Sequence, residues 1–342
     1  MNPTVRRANR PTLEAVAARA GVGRGTVSRV VNGSPRVSAE TREAVRSAIE
    51  ELGYVPNRAA RTLVTSRTDS VALIVPESES KLVGEPYFSD IIRGVSAELS
   101  LSDVQLLLIL VRSDAERRKL ADYLHAHRVD GVMMVSVHGD DPLLEVLERI
   151  ELPVVLAGRR SELEPLTHVH SDNVGGAAAA VSHLLRRGRR SIAAITGPLD
   201  MDVARGRLDG YRKALQLGGV PVQEDLIERA DFTEEGGRRA MAELLARRPD
   251  LDAVFAASDV MAAAALSVLR AAGRRVPEDV ALVGFEDSAI ARHTDPPLTS
   301  VRQPIEEVGR TLAKLLMEQI ADPGKARRQV VLGTELVRRD SA

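Results

Sequence analysis

The chain has 342 residues with no Cys and no Trp, 44% apolar and 28% charged, a globular composition that excludes a disulfide framework, a thiolate nucleophile and Cys-ligated zinc. No apolar segment follows the N-terminal Met-Asn-Pro-Thr-Val-Arg-Arg, so no secretory leader is expected, and the richest apolar run, residues 104–111, is far short of the roughly 20 residues of a membrane span. Lys+Arg of 47 against Asp+Glu of 48 gives −1, but residues 1–68 hold twelve Arg and five Glu, a charge of +7, leaving −8 for the rest.

A cytoplasmic protein of two or three domains with no membrane partner is expected. The basic head suggests a polyanion for that segment alone. An Arg-rich composition is the ordinary alternative, since only five of the 47 basic residues are Lys.

In chain order, Thr12 reads as an N-cap, with Glu14 in the first turn facing the positive end of the helix dipole. Leu13, Val16, Ala17 and Ala20 form one apolar stripe. Gly21-Val22-Gly23 breaks that helix; Gly21 tolerates positive φ, and Val22 is placed to plug the corner. A second helix is predicted over 24–31 with Val27, Val30 and Val31 inward and Arg24, Gly25, Thr26, Ser28 and Arg29 outward. Residues 32–35 read as a turn, and Ser38 caps a third helix, 39–52, that stops at Gly53. Two short helices joined by a glycine turn, the second with a basic polar face, suit the major groove of DNA. An Arg there can bind guanine in a bidentate manner, worth about 1–3 kcal/mol of discrimination. No strand precedes Gly21-x-Gly23-x-Gly25, so a dinucleotide site is not supported.

Thr12-Leu13-Glu14-Ala15-Val16-Ala17, Ala20-Gly21-Val22, Thr26-Val27-Ser28-Arg29-Val30-Val31-Asn32, Val37-Ser38 with Thr41-Arg42, and Leu52-Gly53-Tyr54-Val55-Pro56-Asn57 closely resemble the head of the LacI/GalR family of bacterial transcription repressors. The resemblance implies a helix-turn-helix domain over 1–55 with DNA contacts from Thr12, Arg24, Gly25, Thr26, Ser28, Arg29 and Asn32. Arg24 and Gly25 fall where the family varies with operator sequence. Gly25 has no side chain, which leaves more of the discrimination to Arg24.

Residues 56–64 form about two helical turns at most, a length that is marginal alone in water, and 66–70 read as linker. The resemblance makes 56–70 a hinge that folds on DNA, with contacts from Asn57, Arg58, Ala60 and Leu63. Leu63 is placed to wedge between base pairs in the minor groove; a contact with the body is the alternative.

From residue 71 strands and helices alternate. Apolar runs at 71–76, 104–111, 131–135, 154–157, 191–196, 253–256 and 280–284 read as buried parallel strands. Amphipathic helices are predicted at 89–101, 115–127, 174–187, 207–217, 234–246 and 259–272. This is an α/β pattern, and a change of style at 158–166 suggests a crossing between lobes. Pro86-Tyr87-Phe88, Val129-Asp130-Gly131, Ser171-Asp172-Asn173, Arg207-Leu208-Asp209-Gly210-Tyr211, Val283-Gly284-Phe285-Glu286-Asp287 and Pro297-Leu298-Thr299-Ser300-Val301 with Gln303 continue the resemblance. It implies a periplasmic-binding-protein-like body over 71–342, for effector binding and dimerisation, with two Rossmann-like parallel sheets crossed three times by the chain. A ligand is then expected in the cleft between lobes.

Carried over position by position, the effector-binding residues are Tyr87, Phe88, Arg207, Phe232, Ser258 and Glu286. Arg and Glu serve neighbouring hydroxyls, and Phe faces suit the C–H side of a sugar ring. The family more often has Asn at 258 and Asp at 286, which puts the identity of the carbohydrate in doubt. Phe88 and Phe232 as core residues, and Arg207 and Glu286 as surface pairs, are the ordinary alternatives.

His168-x-His170 shares one face of a strand, but no further metal ligands accompany it. No nucleophile–base spacing, P-loop or His-Glu-x-x-His is present. The expectation is a repressor and not an enzyme, without cofactor or metal, binding a pseudo-palindromic double-stranded DNA operator as a homodimer under control of a small carbohydrate effector. The final residues carry no heptad repeat, so a dimer is expected over a coiled-coil tetramer. A stand-alone sugar-binding protein, and a sugar-processing enzyme with an accessory DNA domain, are the alternatives.

Overall fold

A computed structural model describes residues 11–31, 34, 36–55 and 67–342. The chain divides into two compact units, 1–68 and 69–342.

In the first unit, α1 (Leu13–Ala20) starts at Thr12, whose side chain accepts from the Ala15 amide, and stops at Gly21 with φ 66°. Val22 then packs on the small core made by Val16, Val27, Val30, Val45 and Ala48, which joins α1 to α2 (Arg24–Val31) and α3 (Ala39–Leu52). Ser38 caps α3 through the Thr41 amide, and Gly53, with φ 60°, returns its own amide to the carbonyls of Ile49 and Glu50. The glycines end these helices because the left-handed C′ position carries no Cβ penalty there. Arg42 donates to the Ser34 carbonyl at 2.9 Å and so ties the turn before α3 to that helix.

The second unit begins with β1 (Ser70–Val75), in which Val71 to Val75 are fully buried. There follow α4 (Glu79–Gly84), α5 (Pro86–Leu99), β2 (Gln105–Leu110), α6 (Asp114–His125), β3 (Gly131–Met134), α7 (Leu143–Arg149), β4 (Val154–Ala157) and β5 (Thr167–Ser171). The second lobe carries α8 (Asn173–Arg186), β6 (Ile192–Thr196), α9 (Asp202–Leu217), β7 (Ile227–Arg229), α10 (Glu234–Arg247), β8 (Ala253–Ala256), α11 (Asp259–Ala271), β9 (Ala281–Glu286), α12 (Ala289–His293) and β10 (Thr299–Arg302). The chain then returns through α13 (Ile305–Ala321) and β11 (Gln329–Leu332) to the first lobe, and ends on β12 (Glu335–Val337) in the second.

The first sheet, β11-β5-β4-β3-β1-β2, is parallel throughout. The second, β12-β10-β9-β8-β6-β7, is parallel except at its β12 edge. Its strands bury apolar side chains beneath helices on both faces, as parallel sheets require. Two helices of the first lobe, α5 and α13, touch backbone to backbone. A Cβ on Gly94 would run into the Glu306 carbonyl, and one on Gly309 into that of Ile91.

The chain crosses between lobes three times, at 171–173, 302–305 and 332–335. The crossing expected at 158–166 is not one of them. Those residues form a loop between neighbouring strands of one sheet, closed by the Gly158 amide on the Val169 carbonyl at 2.8 Å. Helix α9 starts at Asp202, not at 207, which places Arg207 inside the helix. Helix α13 lies beyond the last expected element at 280–284, although Ile305, Val308, Leu312, Leu315 and Leu316 recur at helical spacing and are its buried face.

Candidate functional site

On the head, α2 turns Val27 and Val30 inward and leaves Arg24, Gly25 and Arg29 exposed, with Thr26 and Ser28 half-buried. Arg24 reaches Glu14 of α1 at 3.2 Å with both side chains largely exposed. Such a pair contributes little in water and yields readily to a phosphate or a guanine edge. The Thr12 hydroxyl serves the α1 cap. Asn32, Asn57, Arg58, Ala60 and Leu63 lie outside the described residues.

In the body a cleft lined by side chains of both lobes opens between them, the kind of place where small ligands bind. Its deepest charged group is Arg207, buried on α9. Its Nε donates to Asn173 Oδ1 at 3.0 Å and its Nη1 to the Ala257 carbonyl. Asn173, the first residue of α8, is oriented in turn by donating to the Ser171 carbonyl at 2.9 Å. The guanidinium carbon lies 4.0 Å from the centre of the Phe285 ring and 5.6 Å from that of Phe232, so one aromatic from β9 and one from the loop after β7 fix its plane. Phe232 itself sits on Gly197, where a Cβ would run into its ring.

Glu286, at the end of β9, is the acidic counterpart. Burial pushes its carboxyl up to about 8, opposed by the Arg207 charge. Burial likewise pulls the Arg207 guanidinium down to about 10, opposed by Glu286. Each charge favours the other, and among the described residues no ion pair joins them, so both line the cleft with bonds to offer a ligand. Glu286 has φ 111°, and Phe232 and Asp287 have φ of 67° and 53°. Non-glycine residues held there store strain, which concentrates at binding sites.

The turn under Glu286 is held from below. The Asp287 carboxylate accepts from Arg302 at 2.8 Å and from Arg339. Asp259 accepts from the Ser300 hydroxyl and from the Ser288 amide at 2.7 Å.

Five of the six expected effector residues therefore line one cleft: Tyr87, Phe88, Arg207, Phe232 and Glu286. Phe88 is at the same time almost wholly buried in the core of the first lobe, and Tyr87 packs edge-on against it. Ser258 is not among the lining residues. Its hydroxyl is used as the N-cap of α11, accepting from the Met261 amide at 3.2 Å, because the residue that opens α11 faces four unpaired amides.

Sequence reasoning missed Asn173, Gln303, Glu85 and His170, which also line the cleft. Asn173 and Gln303 stand within recognised landmarks without a role; only the crossings bring them into one cleft with Arg207. His170 stacks on His168 along β5, 5.7 Å between centres. Among the described residues no group of three or more His, Cys, Asp or Glu is placed to hold a metal ion, and no helix is long and apolar enough to cross a membrane.

At the cleft mouth the lobes are joined directly. His138 of the first lobe bonds Asp200 of the second through Nδ1 and meets Glu77 through Nε2 at 3.1 Å. Arg159 pairs with Asp202 at 2.8 Å, and Arg205 donates to the Arg160 carbonyl at 2.6 Å.

Residues 12–57 match the model of the family described as bacterial regulatory proteins, lacI family, and residues 181–342 match a periplasmic binding protein-like domain. The HTH-type transcriptional regulator CelR of Thermobifida fusca is 52% identical over 337 residues, covering 98% of this chain and 99% of CelR. A solved complex of transcriptional regulator CelR with cellobiose superposes with a TM-score of 0.78 at 50% identity, over 97% of this chain and all of that one. The lac repressor dimer bound to operator and the anti-inducer ONPF superposes with a TM-score of 0.84 at 28% identity, over 97% and 98%.

Proposed function

The chain belongs to the lacI family of bacterial regulatory proteins, and from that premise we propose that it is a sequence-specific transcriptional repressor controlled by a carbohydrate. It acts in the cytoplasm as a homodimer on a pseudo-palindromic operator. The two heads place α2 in successive major grooves, where Arg24, Thr26 and Arg29 read base edges and Thr12, Ser28 and Asn32 support them on the backbone. Residues 56–70 act as the hinge between head and body, with Asn57, Arg58, Ala60 and Leu63 at the minor groove.

The observation that carries the reading is the buried Arg207, held against the Phe232 and Phe285 rings, with Glu286 in the same cleft, whose lining comes from both lobes. A polyol bridges such a pair through adjacent hydroxyls, and Phe232 offers a flat surface to its C–H face. The cellobiose complex of the CelR relative makes a small saccharide the first ligand to try. The body binds this ligand without turning it over, in keeping with its regulator relatives.

A ligand that favours one pose of the lobes shifts the population of folded hinge. A hundred-fold change in operator affinity requires about 2.7 kcal/mol of coupling. The decisive measurement titrates operator DNA with the full chain, with and without cellobiose, and cellobiose with and without operator. Equal operator affinity for cognate and random duplexes at cellular ionic strength removes the reading. So does a sugar affinity that operator leaves unchanged, because coupling is reciprocal.

A further inference from the structure

One carboxyl in the cleft has no role in the arrangement described above. Glu85 stands at the N-cap of α5, immediately before Pro86, yet its side chain makes no capping bond to the helix. Instead its Oε1 is buried with no hydrogen-bond partner. A buried acceptor of this kind is unfavourable until a donor reaches it.

Its position in the cleft is specific. A second groove adjoins the first, walled by Ser80, Lys81, Gly84 and Glu85 of the first lobe and by Thr233, Val260, Ala264 and Ile290 of the second. Among the described residues, Lys81 and Glu85 alone line both spaces. Lys81 is engaged with Glu77 at 3.3 Å, which leaves Glu85 as the open acceptor at the junction. Arg207, Glu286 and Phe232 line only the inner space. The cleft thus has an inner polar end, with Arg207, Glu286 and Phe232, and an outer acceptor at its junction with the groove.

We propose that Glu85 is a specificity-determining residue, accepting a hydrogen bond from a hydroxyl on the second ring of a disaccharide whose first ring lies against Arg207 and Glu286. The inference rests on the saccharide reading of the cleft. A monosaccharide fills the inner end and leaves Oε1 orphaned; a second ring relieves it. Sites built to pair with a hydroxyl discriminate strongly against ligands that lack it, because a buried polar group is then left alone. Burial also pushes the Glu85 carboxyl up to about 7, with the Lys81 charge opposing and the Glu77 and Asp231 charges reinforcing, as expected of a group that has yet to meet its partner.

Isothermal titration of the full chain and of Glu85→Ala with cellobiose and with glucose tests this. Wild type is expected to prefer cellobiose, and Glu85→Ala to lose about 10- to 100-fold in cellobiose affinity while the preference over glucose collapses. Glu85→Gln, which keeps an acceptor oxygen but not the charge, is expected to fall between. If Glu85→Ala retains the wild-type ratio of the two affinities, whether both stay or both fall together, the role assigned to Glu85 is wrong and the saccharide reading survives. If wild type binds neither sugar, the saccharide reading itself fails and takes this role with it.

Discussion

His138 of the first lobe holds Asp200 of the second through Nδ1, while its other ring nitrogen faces Glu77 at 3.1 Å. The Ser136 hydroxyl and Lys81 also engage that Glu77 carboxylate, and the Gly139 amide donates to the Asp200 carbonyl at 3.1 Å. An imidazole between two carboxylates from different lobes is a charge-dependent clasp at the mouth of the cleft.

The clasp sets a pH dependence. Hydrogen bonding to Glu77 raises the His138 pKa to about 9, against desolvation and with Asp200 reinforcing it. A folded-state pKa above the unfolded value of about 6.5 means the stabilisation is complete below about 6.5 and is lost as pH rises through about 9. Thermal melts of the full chain at fixed ionic strength between about pH 6 and 9.5 are expected to show the body losing stability as pH rises, with the slope flattened in His138→Gln; Glu85 and Glu286, whose raised pKa values act in the same direction, leave the remaining slope. An identical slope in His138→Gln would remove the clasp from the account.

Ser258 separates a cap from a ligand contact. Ser258→Ala removes the hydroxyl that accepts from the Met261 amide, at a cost of about 1 kcal/mol. Sugar affinity is expected to stay within about two-fold, since the side chain does not line the cleft. A ten-fold loss of affinity, measured calorimetrically on folded protein, would return Ser258 to the binding residues.

Arg207→Lys keeps the charge but cannot reproduce the planar fork that reaches Asn173 and Ala257 between Phe285 and Phe232. Sugar affinity is expected to fall at least about ten-fold, and the operator complex to stop responding to sugar while still forming. A gel-shift titration with and without cellobiose reads both; a normal response would show that the fork does not hold the ligand.

On the head, Arg29→Ala removes an exposed side chain of α2 without touching its buried face. Operator binding is expected to lose about 1–3 kcal/mol, with discrimination against random duplex falling in step and the body melting unchanged. Leu63→Ala is expected to weaken specific binding more than nonspecific binding. Fluorescence anisotropy over a salt series checks both. Specific affinity should fall with a slope of about −0.9 per neutralised phosphate, and a salt-independent complex would exclude the phosphate contacts.

What the sequence determined is local. Thr12, Gly21, Ser38 and Gly53 set helix ends within a turn of themselves, and apolar spacing of three and four residues set the buried face of each head helix. The strands from β1 to β9 were likewise legible wherever four or more apolar residues ran together. Short or half-polar strands such as β5, β7 and β12 carry no such run, because their place is fixed by a neighbour in the sheet and not by their own side chains. The resemblance named Arg207 and Glu286 for the cleft, but how the cleft is assembled belongs to the tertiary structure. Glu85, Asn173, Arg207, Glu286 and Gln303 are spread over more than two hundred positions, and the crossings at 171–173 and 302–305 bring them to one cavity. A residue type states what bonds it is able to make. Which of them remain unmade, as at Glu85, or are used inside the fold, as at Ser258, depends on neighbours that approach from far along the chain.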